Sequence, residues 1–333
     1  MSTPAPDHAN YDLSVIIISY NACDYLRRCL NAVAHAAAGL NIQVIVVDNL
    51  SRDNSCAMVE TEFPHVTLIR SQSNLGFAAA NNLAMRLASG RYFLLLNSDA
   101  FIAPDALRRS IDLMDAMPQA GAAGPRLFFD DGSDQISARD FPTIFSDFLT
   151  LSGLSDRHPK SRFLSGANRT WCDPMRPAPV GWVVGAYILL RASLLEKIGL
   201  LSEDFYFYYE DVDICRRIHN AGYQVWYLPQ IQAIHIGGGS AAKMDSSTSL
   251  LGGQVVLWRT RCMLLYYRKY HGHKAALALL FELTWYGLRA LRNRWSSRPQ
   301  AQLRYRNFLT TVQVLLQAWR DTNGGRTSPP RPW

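Results

Sequence analysis

Three short stretches hold residues that could do chemistry. The first is Arg91 to Pro104, RYFLLLNSDAFIAP. Tyr92 to Leu96 reads as a strand buried on both faces, as in the middle of an α/β sheet, and it stops at Asn97-Ser98-Asp99. A carboxylate just past the carboxyl end of a buried strand is costly unless something pairs it. A divalent cation carrying a diphosphate is the usual partner there. The plainer account is a polar turn that also caps the helix opened by Pro104-Asp105. The second stretch is Glu210-Asp211-Val212-Asp213, three acids in four positions after the aromatic run Phe205 to Tyr209. Glu210 and Asp211 fall at a predicted helix N-terminus, where the dipole keeps them ionised. The aromatic wall beside them would stack against a sugar ring; an acidic first turn alone is the plainer account. The third is Ile234 to Ser240, IHIGGGS, where His235 read alone is more often structural than a ligand.

The elements around these stretches must position them. Leu13 to Ser19 (LSVIIIS), Ile42 to Val47 (IQVIVV), Val66 to Arg70 and Arg91 to Leu96 read as strands. Between them lie helical patterns: one capped by Asp24 and carrying Leu26, Cys29, Leu30 and Val33, one after Ser51 to Ser55, and one opened by Asn74-Leu75-Gly76-Phe77 and running to about Ala88. This alternation predicts an α/β fold with a largely parallel, doubly wound sheet. Three strand ends are polar: Ser19-Tyr20-Asn21, Asp48-Asn49 and Asn97-Ser98-Asp99. In a parallel sheet they lie along one edge and can converge on one ligand. Asp48 is placed to pair with a ribose hydroxyl or a base N–H. Asn74 and Gly76 stand at a helix start, where free N–H groups suit a phosphate. No GxGxxG follows the first strand and no GxxxxGK[ST] occurs, which argues against a dehydrogenase-type or P-loop site.

Beyond the first hundred residues the pattern weakens. Leu127 to Pro179 reads as a long loop with short helices, a lid or substrate wall. Val180 to Arg191 is apolar and β-rich, with Gly181 and Gly185 marking a bulge or a close approach to a ligand. Glu196 to Leu201 reads as a turn and Tyr223 to Leu228 as a strand. Among 333 residues, 48% hydrophobic and 18% charged content describes a globular chain, with room for one large domain and an appendage or for two domains. Six scattered cysteines without a CxxC pair argue against a zinc cluster or disulfide framework and suit a reducing cytosol. Residues 1–12 lack the basic and apolar regions of a signal peptide and read as disordered.

The net charge of +7 is concentrated near the C-terminus. Residues 255–306 hold eleven Lys or Arg against one acid, Glu282, so this segment carries +10 and the remainder −3. Trp258, Tyr266, Tyr267, Tyr270, Trp285, Tyr286 and Trp295 are interleaved with these cations. Val255 to Tyr270 and Lys274 to Trp295 read as helices suited to an anionic membrane surface. The alternative is a helical pair packed on the core or forming a homodimer; nucleic acid is disfavoured beside an enzyme core. Residues 254–322 are thus a basic amphipathic helical region, and 323–333 a disordered tail.

Together the segments SVIIISYN, VIVVDNLSRDNS, NLGFAAANN, YFLLLNSDAFIAP, GAYILLRA, FYFYYEDVDICRR and AIHIGGGS resemble the family 2 glycosyltransferases of the GT-A fold, above all the rhamnosyltransferase-like branch. The resemblance spans Leu13 to about Ser240 and implies a GT-A domain over 13–253. It implies that Asp48 contacts the donor's nucleoside beside Ser19, Tyr20 and Asn21. Asn74, Gly76 and one of Asn81 or Asn82 would line the nucleotide. Asn97-Ser98-Asp99 matches the family's DxD motif with Asn at the first position, leaving Asp99 to reach the metal and Asn97 to contact ribose or donor sugar. His235 matches a metal ligand of some members, and Asp211, paired with Glu210, matches the catalytic base. Trp182, Gly185, Ala186 and Tyr209 are candidates for the sugar and acceptor pocket. The implied enzyme is an inverting, metal-dependent hexosyltransferase using Mg2+ or Mn2+. Its first-choice donor is dTDP-L-rhamnose, with a UDP-sugar as alternative. Its acceptor would be a saccharide, on a polyprenyl diphosphate, in surface-polysaccharide assembly on the inner face of the cytoplasmic membrane. The rival readings are a sugar nucleotidyltransferase, whose basic glycine-rich loop SYNACDYL does not supply, and a non-catalytic glycan- or nucleotide-binding relative.

Overall fold

The β-branched and leucine-rich runs form the centre of a ten-stranded sheet. A computed structural model describes residues 10–237 and 253–330. Its first half alternates strand and helix: β1 Tyr11–Ser19, α1 Cys23–Ala36, β2 Ile42–Asp48, α2 Ser55–Glu62, β3 Thr67–Arg70, α3 Gly76–Met85 and β4 Gly90–Asn97. Then follow β5 Ala100–Ile102, α4 Ala106–Ala116, β6 Ala120–Phe128, β7 Asp134–Gln135, β8 Ala138–Arg139, α5 Ile144–Ser152 and α6 Leu154–Arg157. The series continues with β9 Ala178–Val180, β10 Trp182–Val183, β11 Tyr187–Arg191, α7 Ala192–Ile198, α8 Glu210–Asn220 and β12 Gln224–His235. The C-terminal helices are α9 Gly253–His271, α10 Lys274–Arg294 and α11 Pro299–Asp321.

The sheet order is β3-β2-β1-β4-β11-β6-β12-β5. Its first four strands are parallel, as the α/β alternation predicts. Beyond β4 it is mixed: β11 runs antiparallel to β4 and β6, while β12 is parallel to β6 and antiparallel to β5. Alternate residues of the central strands feed two separate cores. Val15, Ile17, Leu94 and Leu96 pack on α1 through Leu26 and Leu30. Ile16, Ile45, Phe93 and Leu95 pack with Ala80, Ala84 and Ile188 on the other face. Continuous apolar runs are therefore required, because each strand is covered on both sides.

Several local expectations need correction. Asp24 does not cap α1; the Cys23 N–H instead donates to Asp53 Oδ2 at 3.0 Å, a residue from the following loop. Tyr11 and Asp12 belong to β1 and not to a disordered end. Residues 196–201 are no simple turn, because α7 extends to Ile198 and ends at Gly199 with φ 78°. The strand β6, AGAAGPRLF, carries no β-branched residue, and its smallness is a packing requirement. A Cβ on Gly121 would lie 2.6 Å from Leu194, and one on Gly124 would lie 2.6 Å from Val183. β12 continues past Leu228 through an irregularity between Leu228 and Gln232, and this continuation brings His235 opposite Ala100 of β5.

The chain divides into two units. The first runs to residue 202 and resumes at 211; the second takes residues 203–210 and the C-terminal helices. The boundary expected near 253 therefore misses residues 203–210. In the second unit α9, α10 and α11 pack on one another. Trp258, Cys262, Leu264, Tyr266 and Tyr267 of α9 are buried. Residues 323–326, within the segment expected to be disordered, form a turn with Gly324 and Gly325 at φ 65° and 79°. Gly325 lies so close to Leu264 that a Cβ would be 2.3 Å from its carbonyl oxygen, and Ser328 Oγ donates to the Asp204 carbonyl at 2.9 Å. The expected disorder of residues 1–9 and 331–333 lies outside the described residues, as do Gly238, Gly239 and Ser240.

Candidate active site

Ser19 and Asp48 are register partners at the carboxyl ends of β1 and β2. Asp48 is buried, and its Oδ2 accepts the Ser51 N–H at 2.9 Å. Its Oδ1, together with Ser19 Oγ and Asn81 Oδ1, is buried without a hydrogen-bond partner among the described residues. Each such atom costs about 1–3 kcal/mol unless something pairs it. Ser19 Oγ and Asp48 Oδ1, at neighbouring strand ends, suit a ligand's hydroxyl or N–H donors. Asn21 adopts a left-handed conformation, φ 50°, tolerated by Asn. Its N–H donates to Ser51 Oγ at 2.9 Å and its Oδ1 accepts the Arg52 N–H at 2.8 Å, which ties the two loops together. Tyr20 sits half-buried beside it.

Asn74 and Gly76 are engaged within their own turn. Asn74 Oδ1 accepts the Gly76 N–H at 3.0 Å and the Asn49 Nδ2 at 2.9 Å, and Asn49 Oδ1 accepts the Leu75 N–H at 2.8 Å. Leu75 and Gly76 therefore offer no free N–H to a phosphate. Gly76 is needed for its φ of 77°. Asn49, which reads in the sequence only as a strand terminator, is the clamp of this turn. Asn82, the alternative to Asn81, spends its amide on the backbone of Leu201.

The β5–β12 register places His235 beside Asp99. His235 Nε2 lies 3.4 Å from Asp99 Oδ1 and 3.3 Å from Asn97 Nδ2. His235 Nδ1 is 2.9 Å from Gln135 Oε1, an acceptor that fixes the proton on Nδ1 and leaves the Nε2 lone pair facing Asp99. Ser98 is buried between Asn97 and Asp99. One carboxylate and one imidazole nitrogen 3.4 Å apart suit a divalent cation that would take its remaining ligands from phosphate oxygens and water. Among the described residues no group of three His, Cys, Asp or Glu side chains could hold a metal alone. Gln135, on the two-residue strand β7, carried no signal in the sequence.

Asp211, at the start of α8, is half-buried. Its Oδ2 accepts the Gly185 N–H at 3.1 Å and its Oδ1 the Val212 N–H at 2.8 Å. Burial pushes its carboxyl up to about 6, against the opposing pull of those two N–H groups and of Arg139. Arg139 is the residue that sequence reasoning missed. It pairs with Trp182 across β8–β10, its guanidinium lies 5.5 Å from the Trp182 ring centre, and its Nε is buried without a hydrogen-bond partner among the described residues. Trp182 is held by its Nε1–H, which donates to the Asp140 carbonyl at 3.0 Å. The Ala186 carbonyl accepts the Asn97 N–H at 3.0 Å, so β11 joins the Asn97 turn to Gly185 and hence to Asp211.

Two expected site residues lie in the second unit. Tyr209 packs its ring 5.3 Å from that of Tyr266, and Tyr206 lies 5.4 Å from Trp258. These contacts occupy rings that were expected to face a sugar. Glu210 is buried and near Cys262. Tyr208 and Tyr209 hold φ values of 80° and 70°, a conformation that costs a non-glycine residue on the order of 1 kcal/mol each.

The arrangement can bind a nucleotide at the β1–β2 edge, hold a cation at Asp99 and His235, and accept a proton at Asp211. Comparison with known proteins identifies the family. The family model for "Glycosyl transferase family 2" matches residues 14–198. An N-acetylglucosaminyl-diphospho-decaprenol L-rhamnosyltransferase of Mycobacterium tuberculosis is 27% identical over 234 residues, which cover 67% of this chain and 75% of that protein. The rhamnosyltransferase WbbL of Escherichia coli K12 is 26% identical over 66% of this chain and 82% of its own length. Among solved structures, a mannosyltransferase from Pyrobaculum calidifontis in complex with GDP-Man and Mn2+ superposes with a TM-score of 0.55 at 18% identity, covering 96% of this chain and 89% of that one. The matched model spans more than half of the sequence, and the chain belongs to glycosyl transferase family 2.

Proposed function

We propose that the chain is an inverting, metal-dependent hexosyltransferase that transfers L-rhamnose from dTDP-L-rhamnose to a saccharide carried on a polyprenyl diphosphate. The acceptor would be met at the cytoplasmic face of the membrane during surface-polysaccharide assembly. The observation that carries the reaction class is the Asp99–His235 pair at the same sheet edge as the unpaired Asp48 and Ser19 oxygens. The donor and acceptor classes are supported by the rhamnosyltransferase relatives and by the lipid-linked acceptor in one of their names.

In this mechanism Asp48 and Ser19 pair with the donor's nucleoside. Asp99 and His235 would hold the cation, which when bound stabilises charge on the leaving diphosphate. Asn97 and Ala186 position the sugar-proximal turn through their backbone hydrogen bond. Asp211 accepts the proton of the acceptor hydroxyl as its oxygen bonds to the anomeric carbon. The bond from that carbon to the diphosphate breaks, and its electron pair leaves with the diphosphate oxygen. A carboxyl near pKa 6 is ionised at neutral pH yet basic enough to take this proton. Arg139, over the Trp182 ring, places a positive charge near Asp211.

A donor screen tests the reading: dTDP-rhamnose, UDP-GlcNAc, UDP-galactose, UDP-galactofuranose and GDP-mannose, each with Mn2+, Mg2+ or chelator, against wild type and Asp211→Asn. Metal-dependent binding of dTDP-rhamnose by both proteins, with slow hydrolysis only by the wild type, is the expected result. Preference for a UDP-sugar would overturn the donor assignment, and absence of any binding would overturn the enzyme reading.

A further inference from the structure

The outer face of α10 is apolar and uncovered. Leu277, Leu280, Leu288, Leu291 and Trp295 are 55%, 60%, 61%, 46% and 76% exposed. At about 100° per residue these positions fall within a strip about 80° wide, with exposed Thr284 filling the gap between Leu280 and Leu288. The opposite face, Ala275, Ala278, Leu279, Glu282 and Ala290, is buried. Exposed cations border the strip: Lys274 and Arg292 on one flank, Arg294 on the other, with Arg298 just beyond the helix. Between residues 253 and 320 the one acid is Glu282, buried and 3.7 Å from Arg259. The strip therefore has a cationic border and, within residues 253–320, no exposed carboxylate.

We infer that this face of α10 is where the protein meets an anionic lipid bilayer. The helix lies in the interface plane, with its leucines and Trp295 among the acyl chains and its Lys and Arg heads among the phosphates. The inference rests on the reading that the acceptor is lipid-linked, and it narrows that reading to one surface. It excludes α9 as the lipid face, because Trp258, Tyr266 and Tyr267, whose mixture with basic residues suggested membrane contact, are buried. No helix among the described residues is long and apolar enough to cross a membrane, so this is a surface contact. Charge separates the bilayer from a second copy of the chain as occupant. A two-fold pairing would lay each cationic border against its own equivalent, whereas anionic headgroups neutralise it.

The test is flotation of the full-length protein with phosphatidylcholine vesicles, with and without phosphatidylglycerol, at low and high salt. The wild type is compared with Leu280→Glu/Leu288→Glu/Leu291→Glu and with Lys274→Gln/Arg292→Gln/Arg294→Gln. All six positions are exposed, and unchanged thermal melts and donor hydrolysis verify that both variants fold. The wild type should bind only the anionic vesicles and release at high salt. The leucine variant should bind at least about a hundredfold more weakly, from the apolar area removed. The charge variant should bind about a hundredfold more weakly, with a reduced dependence on salt. If the leucine variant binds as the wild type does, this face is wrong while the membrane reading stands. If the wild type ignores both vesicle types, both fail. If light scattering shows a wild-type dimer that the leucine variant breaks, the strip is a contact between copies and the inference is overturned.

Discussion

Replacing Asp211 with Asn should lower activity and raise stability together, and the structure gives the size of both effects. The native carboxyl is displaced from 3.8 to about 6, mainly by burial. The native state thus binds the proton more tightly than the unfolded chain does. Ionising Asp211 costs stability, fully above about pH 6 and not at all below the ordinary carboxylate range. A displacement of about two units corresponds to about 3 kcal/mol at about 1.4 kcal/mol per unit. Because the group is only half-buried, solvent screening reduces this to about 1–3 kcal/mol. Asparagine removes the cost and can still accept one of the two N–H groups that Asp211 now serves. Urea unfolding at about pH 8 and about pH 4 should therefore show Asp211→Asn gaining about 1–3 kcal/mol on the wild type between the acid and the alkaline condition. In the transfer assay kcat/KM should fall by roughly a hundredfold to ten-thousandfold, the contribution of a positioned general base, with donor affinity nearly unchanged. The wild-type rate should fall tenfold per unit below about pH 6. A stability difference that does not change with pH would refute the desolvated carboxylate. An active Asn variant would refute its role as base.

Arg139→Gln removes the cation that draws the Asp211 carboxyl downward, so the acid limb of the pH–rate profile should move to higher pH; an unmoved limb would separate the two residues. Gln135→Leu leaves the His235 Nδ1–H unsupported and should weaken Mn2+ binding about 10–100-fold, read by calorimetry with nucleoside diphosphate present; unchanged affinity would remove His235 from the metal site. Asn49→Ala frees the Asn74–Gly76 turn and leaves the Leu75 N–H unpaired, and should cost about 2–4 kcal/mol in urea unfolding with intact secondary structure.

The strands were legible because burial on both faces forces continuous apolar runs, and the polar strand ends were legible because a run must stop somewhere. Asp48 and Asp99 stand out for that reason, whereas Asp211 stands out as part of an acidic helix start and His235 only through the family resemblance. The residues that tune them do not. Gln135 and Arg139 lie on two-residue strands inside a segment rich in turn formers, where no period marks an element. Their importance comes from pairing with β6 and β10, a long-range fact. β6 was missed because its requirement is small volume against Leu194, Ile218 and Val183, which resembles a loop composition. The free N–H groups expected at Asn74 and Gly76 are absent for the opposite reason. Their residue types suit a phosphate, but Asn49, separated by about 25 residues, uses the same groups to build the turn.

Two carboxylates of the candidate site, Asp48 and Asp211, are held in different ways. Asp48 spends one oxygen on the Ser51 N–H and keeps the other bare at a buried edge, a fixed acceptor for a fixed partner. As the proposed base, Asp211 faces a harder requirement: it must be ionised before the reaction and proton-hungry during it. A hydrogen-bonded Arg–carboxylate pair would satisfy the first condition and defeat the second, since it holds the carboxyl far below neutrality, as Arg91 does to Asp115. Arg139 near Asp211 makes no such bond to it; the described bonds to the carboxylate come from the Gly185 and Val212 N–H groups. Two neutral donors and a cation that acts without a hydrogen bond compensate burial only in part. The residue left uncompensated sets the carboxyl at about 6, one unit below neutrality, where the ionised form dominates and still draws a proton from an attacking hydroxyl.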